Sequence, residues 1–410
     1  MKYVDIIIIG SGMSGLYSAY KIKEFSPDTS FLILEKYKKN WIGGRTSNEV
    51  FYDTEIVTGA GIGRKNKDKL LRNLLHDFKF IMPEYTINPH KSKLIKNVDI
   101  NNITNHLKRE YPRFKNQQLT FKQFATKVLG EDFYKEFILN IGYTDYENED
   151  VFETLYYYGM EDNSCCWKAF HVPWKKLVLK LYHFIGSSHF KFSNNVIKII
   201  KTQEQPCRFL IETENGFQYL CNRVIIASTI NTIRKLISKP IYNDIEGQPF
   251  LRLYAKFTKK SIPIMKQYVK GFTFLPGPLQ RIIPMDPNNG VYMIAYNDNS
   301  NTIALKNNLQ NTKKNRELYE ILIEKSLGIP ENSIHIIAIK DFYWPIGTHY
   351  YKPLNKELYK SREEFIHLAQ HPENGMLVVG EAVSRNQGWT EGALESVEIS
   401  VTKKWIQNPC

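Results

Sequence analysis

Hydrophobic residues recur along this chain in three rhythms. Residues 4–9 and 31–34 are almost wholly apolar, and 221–228 and 377–379 carry comparable runs. Runs this short and continuous predict buried strands. Residues 68–78, 120–129, 132–140 and 174–183 instead place apolar side chains three and four apart, the spacing of one helix face. Between 239 and 351 the pattern changes again: 251–257, 271–275, 280–284, 291–296 and 333–341 are short, apolar and bounded by Pro, Gly, Asn or Asp. They predict an antiparallel sheet. Residues 209–213 and 218–220 flank Asn215-Gly216, a hairpin-turn dipeptide. Residues 51–57 alternate enough to predict one strand, and 190–200 predicts a return to the first sheet.

Between the first two apolar runs stands Gly10-Ser11-Gly12-Met13-Ser14-Gly15, followed by a helix-compatible stretch to about residue 25. Strand, glycine turn, helix and second parallel strand form the unit that binds a dinucleotide. In it the first glycine makes the tight turn, the second admits a pyrophosphate and the third lets helix and strand pack closely. The helix N-terminus presents unpaired N–H groups and a partial positive charge to the phosphates. Glu35, with Lys36 behind it, stands 20 positions after Gly15 at the tip of the second strand. A carboxylate there accepts the hydroxyls of an adenosine ribose, which favours FAD or NAD over a 2′-phosphorylated nucleotide.

A chain of 410 residues, 42% hydrophobic and 24% charged, has the length of two ordinary domains and the composition of a soluble globular protein. No run reaches the ~20 apolar residues needed to span a bilayer. The first apolar run opens at Val4 behind a single Lys and leads straight into the glycine turn, unlike a secretory signal. Residues 405–410 are neither an apolar anchor nor a peroxisomal tripeptide, and a cytoplasmic location is expected. The net charge of +13 is spread in small groups such as Lys36, Lys38 and Lys39, or Arg64, Lys65, Lys67 and Lys69. That distribution reads as a solvated basic surface, with no specific nucleic acid expected. The five cysteines, Cys165, Cys166, Cys207, Cys221 and Cys410, have no CxxC spacing and are odd in number, so neither a disulfide framework nor a metal site is expected. Cys165-Cys166 reads as a pair of small buried residues.

Three further segments make the chemistry specific. Trp41-Ile42-Gly43-Gly44-Arg45-Thr46 follows the nucleotide unit, and 342–353 contains Trp344-Pro345-Ile346-Gly347-Thr348-His349-Tyr350. Finally, Leu377-Val378-Val379-Gly380-Glu381-Ala382 leads to Gly388-Trp389-Thr390-Glu391-Gly392, which opens a helix. Together these resemble the FAD-dependent amine oxidase superfamily, which includes monoamine and polyamine oxidases.

The resemblance implies that Gly43, Gly44 and Arg45 wrap the FAD pyrophosphate, where an Arg fork suits phosphate. It implies that Gly59, Ala60, Gly61 and Ile62 lie against the isoalloxazine, although Asp53-Thr54-Glu55-Ile56 departs from the usual start of that segment. It places the Val196 backbone at the adenine and Glu381 at the ribityl chain, and puts Trp389 and Thr390 at a helix N-terminus facing the flavin N1–C2 end. It makes Trp389 one wall of an aromatic cage and Tyr350 the other. No Cys lies between 342 and 351, so FAD is expected to be noncovalent, with His349 a polar residue at the cavity edge. Strand periodicity sets Arg252, Tyr254 and Lys256 on one face. Many amine oxidases carry a Lys there that holds a water at flavin N5. Arg252 is nearest that position and Lys256 is the alternative; an Arg there puts efficient reaction with oxygen in doubt.

The expected fold is α/β: a Rossmann-like FAD-binding domain of glutathione-reductase type from 1–65, 171–238 and 365–410, and a mixed α+β substrate domain from 66–170 and 239–364. The expected activity is oxidation of a small-molecule amine by hydride transfer to flavin N5, with O2 as acceptor and H2O2 as product. Membrane partners are not expected, and a homodimer is an allowed assembly. The alternatives are a flavin desaturase or protoporphyrinogen-oxidase-like enzyme, a flavin-binding interaction protein without turnover, and a polyanion-binding module.

Overall fold

The computed structural model describes residues 2–160, 166–202 and 208–407. Strand Lys2–Ile9 lies inside a seven-stranded sheet, pairing in parallel with Gln218–Ile226 on one side and Phe31–Leu34 on the other. Phe190–Lys191 extends the sheet beyond Phe31–Leu34. On the far side the antiparallel strands Phe209–Thr213 and Val196–Lys201 follow, and Met376–Val378 adds a parallel strand beside Gln218–Ile226. Ile6, Ile7 and Ile8 are fully buried because both faces are covered. Helices Met13–Phe25, Trp174–Ile185 and Thr390–Ser400 pack on one face, and Ile230, Ile233, Tyr242 and Phe365 on the other. Each such buried side chain contributes roughly 1.5–3 kcal/mol.

Two glycines fix how the first helix leaves this sheet. Gly10 has φ +105°, and a β-carbon at Gly15 would lie 2.0 Å from the Gly10 carbonyl oxygen. A side chain at Gly15 would force turn and helix apart, and one at Gly10 would strike the Ala227 carbonyl at 2.3 Å.

The second sheet is six-stranded, ordered Ile336–Tyr351, Ile245–Phe257, Val291–Asp298, Arg281–Asp286, Thr273–Phe274 and His90–Lys91. Its longest member, Ile336–Tyr351, contains Pro345, which a regular ladder excludes. The pairing with Ile245–Phe257 shifts register between Gln248 and Phe250, beside Pro249, and this irregularity accommodates both prolines. Helices Ile100–Glu110, Phe121–Leu129, Glu131–Ile141 and Val151–Tyr156 pack around Phe121, Phe124 and Phe137. The Thr120 side chain and Gln123 form a reciprocal cap at the start of Phe121–Leu129.

Several sequence expectations are corrected. Residues 51–57 are not one strand: Asn48–Phe51 and Thr54–Val57 form a hairpin, with Tyr52 and Asp53 at φ +46° and +58°. Residues 190–200 do return to the first sheet as expected, as Phe190–Lys191 and Val196–Lys201 with Ser193 at φ +56° between them. Helix Lys313–Leu327 was not expected, because its sequence is charged on most sides. Cys166 is disulfide-bonded, against the expectation of none; Cys165, Cys207, Cys410 and the rest of 408–410 lie outside the described residues. Among the described residues no helix is long and apolar enough to cross a membrane.

Candidate functional site

The parallel strands of the first sheet end on one edge, at Ile9, Leu34, Ile226 and Val378, and the glycine-rich segments gather there. The Gly43 N–H donates to the Ser11 carbonyl at 2.9 Å, and Gly12 and Gly43 form a parallel bridge. The Ala60 N–H donates to the Arg45 carbonyl at 2.8 Å, and the Gly380 N–H to Ser396 Oγ at 2.8 Å. Arg45 in turn pairs with Glu381 at 3.3 Å and donates to the Gly347 carbonyl. Five segments distant in sequence therefore meet along one groove. A β-carbon at Gly12 would meet no atom within 4 Å, whereas one at Gly44 would lie 3.9 Å from Gly12 Cα. Backbone N–H groups there face open space at the start of Met13–Phe25, whose cap residue Gly12 supplies no side-chain acceptor. This cradle, with Arg45 beside it, fits a dinucleotide pyrophosphate.

Glu35 lies at the same edge but is already engaged. Its Oε2 accepts from the Ser11 N–H at 2.8 Å and the Ser11 hydroxyl at 2.7 Å, and its Oε1 accepts from the Tyr37 N–H at 2.9 Å. A carboxylate has about four acceptor positions, so about one remains for a ribose hydroxyl unless Ser11 Oγ turns away. Glu35 is thus a clamp on the glycine turn as well as a candidate ribose ligand. The Asn194 N–H donates to the Glu35 carbonyl at 2.8 Å, which brings the buried Val196 to this end of the groove. Lys36 is exposed, its ammonium 5.3 Å from the Tyr37 ring.

The turn at 57–61 is held by four side chains from three other segments. The carbonyls of Val57, Thr58, Gly59 and Gly61 accept from Tyr254 Oη at 2.6 Å, Trp344 Nε1 at 2.8 Å, Arg252 Nε at 2.6 Å and Trp174 Nε1 at 3.1 Å. Arg252, Tyr254 and Lys256 do share a sheet face, and the 48–57 hairpin lies across it. Lys256 nevertheless reaches elsewhere, donating to the carbonyl and side chain of Asn289 with its ammonium 5.5 Å from the Tyr52 ring. Of the two candidate bases, the structure brings Arg252 to the turn and leaves Lys256 at the hairpin tip.

Glu381 is the polar centre at the other end. Besides Arg45 it meets His349, whose Nδ1 lies 2.7 Å from its second oxygen, and the Ile230 N–H donates to His349 Nε2 at 3.1 Å. Burial pushes the Glu381 carboxyl up, but His349 and Arg45 outweigh it and leave the group below its usual range. Trp389 caps helix Thr390–Ser400 with its ring covered by the Arg64 guanidinium at 3.7 Å. Arg64 is itself fixed by Asp68 through bonds of 2.7–2.9 Å from its N–H, Nε and NH2. Tyr350 is half-buried opposite Glu246 on the neighbouring strand; burial and that carboxylate raise its hydroxyl. It makes no ring contact with Trp389 among the described residues.

Sequence reading did not find His349, Arg64 and Glu391 in these roles. His349 lies two positions after Gly347 on one strand; the Gly347 backbone carbonyl meets Arg45 while the His349 ring meets Glu381. Glu391 is buried and accepts from the Leu70 and Leu71 N–H groups at 2.8 and 2.9 Å, tying helix Lys69–Asp77 to helix Thr390–Ser400. Its spacing in the chain gave no sign of that long-range cap.

A glycine-rich edge on the first sheet and a second sheet set against it define a two-sheet α/β architecture. Solved structures of putrescine oxidase share this fold. The wild type bound to putrescine has a TM-score of 0.73 at 12% identity, covering 97% of this chain and 98% of that one. Two variants from a structure-based redesign of cofactor binding give 0.74 at 10% and 0.73 at 11%, each covering 98% of both chains. At such identities the likeness is one of fold. An uncharacterized protein of Acanthamoeba polyphaga mimivirus is 21% identical over 485 aligned positions, covering 98% of this chain and 93% of that protein. No family model matches the chain.

Proposed function

We propose that this chain is an FAD-dependent oxidoreductase that oxidises a C–N bond in a small amine, passing electrons to O2 to give H2O2 slowly, because Arg252 rather than a Lys stands at the turn. The observation that carries the reading is the Arg45–Glu381 pair, which joins the Gly43-Gly44-Arg45 loop to the Gly380-Glu381 turn beside the open backbone at Gly12. Bound FAD supplies the hydride-accepting chemistry. The groove residues supply binding: Gly10 to Gly15 and Arg45 for the pyrophosphate, Glu35 for the ribose, Val196 for the adenine, and Glu381 for the ribityl chain. Gly59, Ala60, Gly61 and Ile62 form the turn assigned to the ring, and four side-chain donors keep that turn from moving. Thr390 and Trp389 set a helix N-terminus at the groove, where its partial positive charge favours a negative partner. Trp389 and the aromatic residues around Phe250, Tyr296 and Trp344 exclude water from the substrate side.

The test is an anaerobic absorption spectrum of the purified protein before and after addition of mono- and polyamines and amino acids. A flavin band bleached by one of them is the expected result. Absence of any flavin after reconstitution with FAD would overturn the assignment from Gly10 onward, and a bound flavin that no such compound bleaches would refute the amine chemistry.

A further inference from the structure

We infer that the substrate carries a carboxylate close to its amine, as an α-amino acid does, and that Arg252 binds it with Arg281 reinforcing the field from the far side of Tyr296. This narrows the amine reading above and rests on it.

Arg252 and Tyr296 face each other across paired strands, with the guanidinium 4.3 Å from the Tyr296 ring and 5.0 Å from the Phe250 ring. Arg281 comes from the next strand over, 4.1 Å from the same Tyr296 ring and 3.5 Å from Tyr143. Two cations therefore flank one tyrosine, at 3% and 0% exposure. Burying a guanidinium without a matched anion costs several kcal/mol. Arg252 nonetheless forms no ion pair among the described residues: its Nε is spent on the Gly59 carbonyl and its NH1 finds only the soft acceptor Met293 Sδ at 3.5 Å. Its NH2 points to the turn, 2.9 Å from where a β-carbon on Gly61 would stand.

Arg281 has one long contact, 3.4 Å from NH2 to Asp298 Oδ2, while its Nε and NH1 are buried with no partner. Asp298 is already bonded by the Thr144 N–H and hydroxyl. The nearby Asp145, bonded by Tyr158 Oη at 2.6 Å, is raised to about 7 by burial and by the Asp298 charge, so it is only partly ionised at neutral pH.

The turn holds no carboxylate to compensate a cation, and four of its carbonyls, at 57, 58, 59 and 61, already accept a side-chain hydrogen bond. Tyr296, Phe250, Gly61 and Trp344 are half-buried, so this side of the turn and sheet is partly open to solvent. A diamine dication entering there meets two guanidinium groups, whereas a carboxylate meets the free end of the Arg252 fork, the geometry that pairs bidentately. Arg252 lies against the turn that the reacting carbon must approach, so the carboxylate and the amine sit near one another.

Matched pairs differing only by the carboxylate test this: phenylalanine with phenethylamine, leucine with 3-methylbutylamine, and lysine with cadaverine, each scored by anaerobic flavin bleaching. The amino acid of at least one pair should bleach the flavin at least 100-fold more efficiently than its amine. Amines that equal or exceed their amino acids would overturn the inference while leaving the amine reading intact. Binding of benzoate, read by perturbation of the flavin spectrum without turnover, separates the two further. Arg252→Met should weaken benzoate at least 100-fold and Arg252→Lys at least tenfold, with thermal midpoints confirming that each variant folds. If the Met variant does not fold, the Lys variant decides: unchanged benzoate affinity refutes the inference. Benzoate binding lost in these variants, in a protein whose flavin nothing bleaches, would keep the carboxylate site and refute amine oxidation.

Discussion

His349 and Glu381 are bonded at 2.7 Å, and the pair is buried. Because His349 Nε2 accepts from the Ile230 N–H, the proton of the neutral ring resides on Nδ1, facing the carboxylate. The Glu381 carboxyl is thus met by donors on both oxygens before any ligand arrives. Removing one partner of a buried pair leaves the other uncompensated, so His349→Ala should cost about 3 kcal/mol in urea unfolding of the apoprotein. The lowered carboxyl contributes stability above its ordinary pKa and loses it as pH falls through the lowered value. In the Ala variant that acid-side loss should begin at higher pH; an unchanged acid limb would show that His349 does not hold the charge.

Gly12 and Gly15 make opposite predictions. An added methyl at Gly12 meets open space at an ordinary φ of −69°, so Gly12→Ala should leave apoprotein stability within about 0.5 kcal/mol and weaken FAD at least tenfold. At Gly15 the same methyl falls 2.0 Å from a backbone oxygen, and Gly15→Ala should destabilise the fold itself. Thermal unfolding without FAD distinguishes the two. Normal FAD binding by Gly12→Ala would remove the pyrophosphate from this cradle.

Replacing Glu35 tests a dual role. Loss of a hydrogen bond to a charged group costs about 1.5–3 kcal/mol. Glu35→Ala should therefore lower FAD affinity by that much and also destabilise the apoprotein, since Ser11 and Tyr37 lose their acceptor. Ser11→Ala should reproduce part of the stability loss only. Unchanged flavin occupancy in the Glu35 variant would sink the ribose assignment.

Burial raises the Glu391 carboxyl from its ordinary 4.5 to about 7, against the two N–H groups that lower it. The folded state therefore holds a proton that the unfolded chain releases, and stability declines as pH rises from about 4.5 to about 7. Glu391→Gln should flatten that portion of the stability–pH curve. An identical slope in both proteins would place the titration elsewhere.

The glycine turn was legible because most of its constraints are local: Gly10 is required by its own φ of +105°, Gly15 by the Gly10 carbonyl, and Glu35 by register along one strand. What Glu35 does before a ligand binds was not legible, since Ser11 reaches it only after the turn has folded. The alternation of Arg252, Tyr254 and Lys256 gave their common face correctly. It could not say whether Arg252 or Lys256 meets the 57–61 turn, because that depends on a hairpin whose corner, Tyr52-Asp53, looks like continuous strand. Helix Lys313–Leu327 was missed because charge hides its narrow apolar stripe. Pro345 shows the converse, a residue that argues against strand and is tolerated where the ladder slips.

Strand Ile336–Tyr351 begins in the second sheet and, about 36–43 Å along at ~3.3 Å per residue, delivers Gly347 and His349 to Arg45 and Glu381 beside the first. Trp344 on the same strand grips the Thr58 carbonyl, and Tyr351 Oη donates to the Ser384 carbonyl at 2.9 Å. One continuous beam is thereby bolted to both halves of the molecule. A clamshell swing between them would have to shear those fastenings together, so ligands gain entry through local yielding of side chains and loops around a rigid frame.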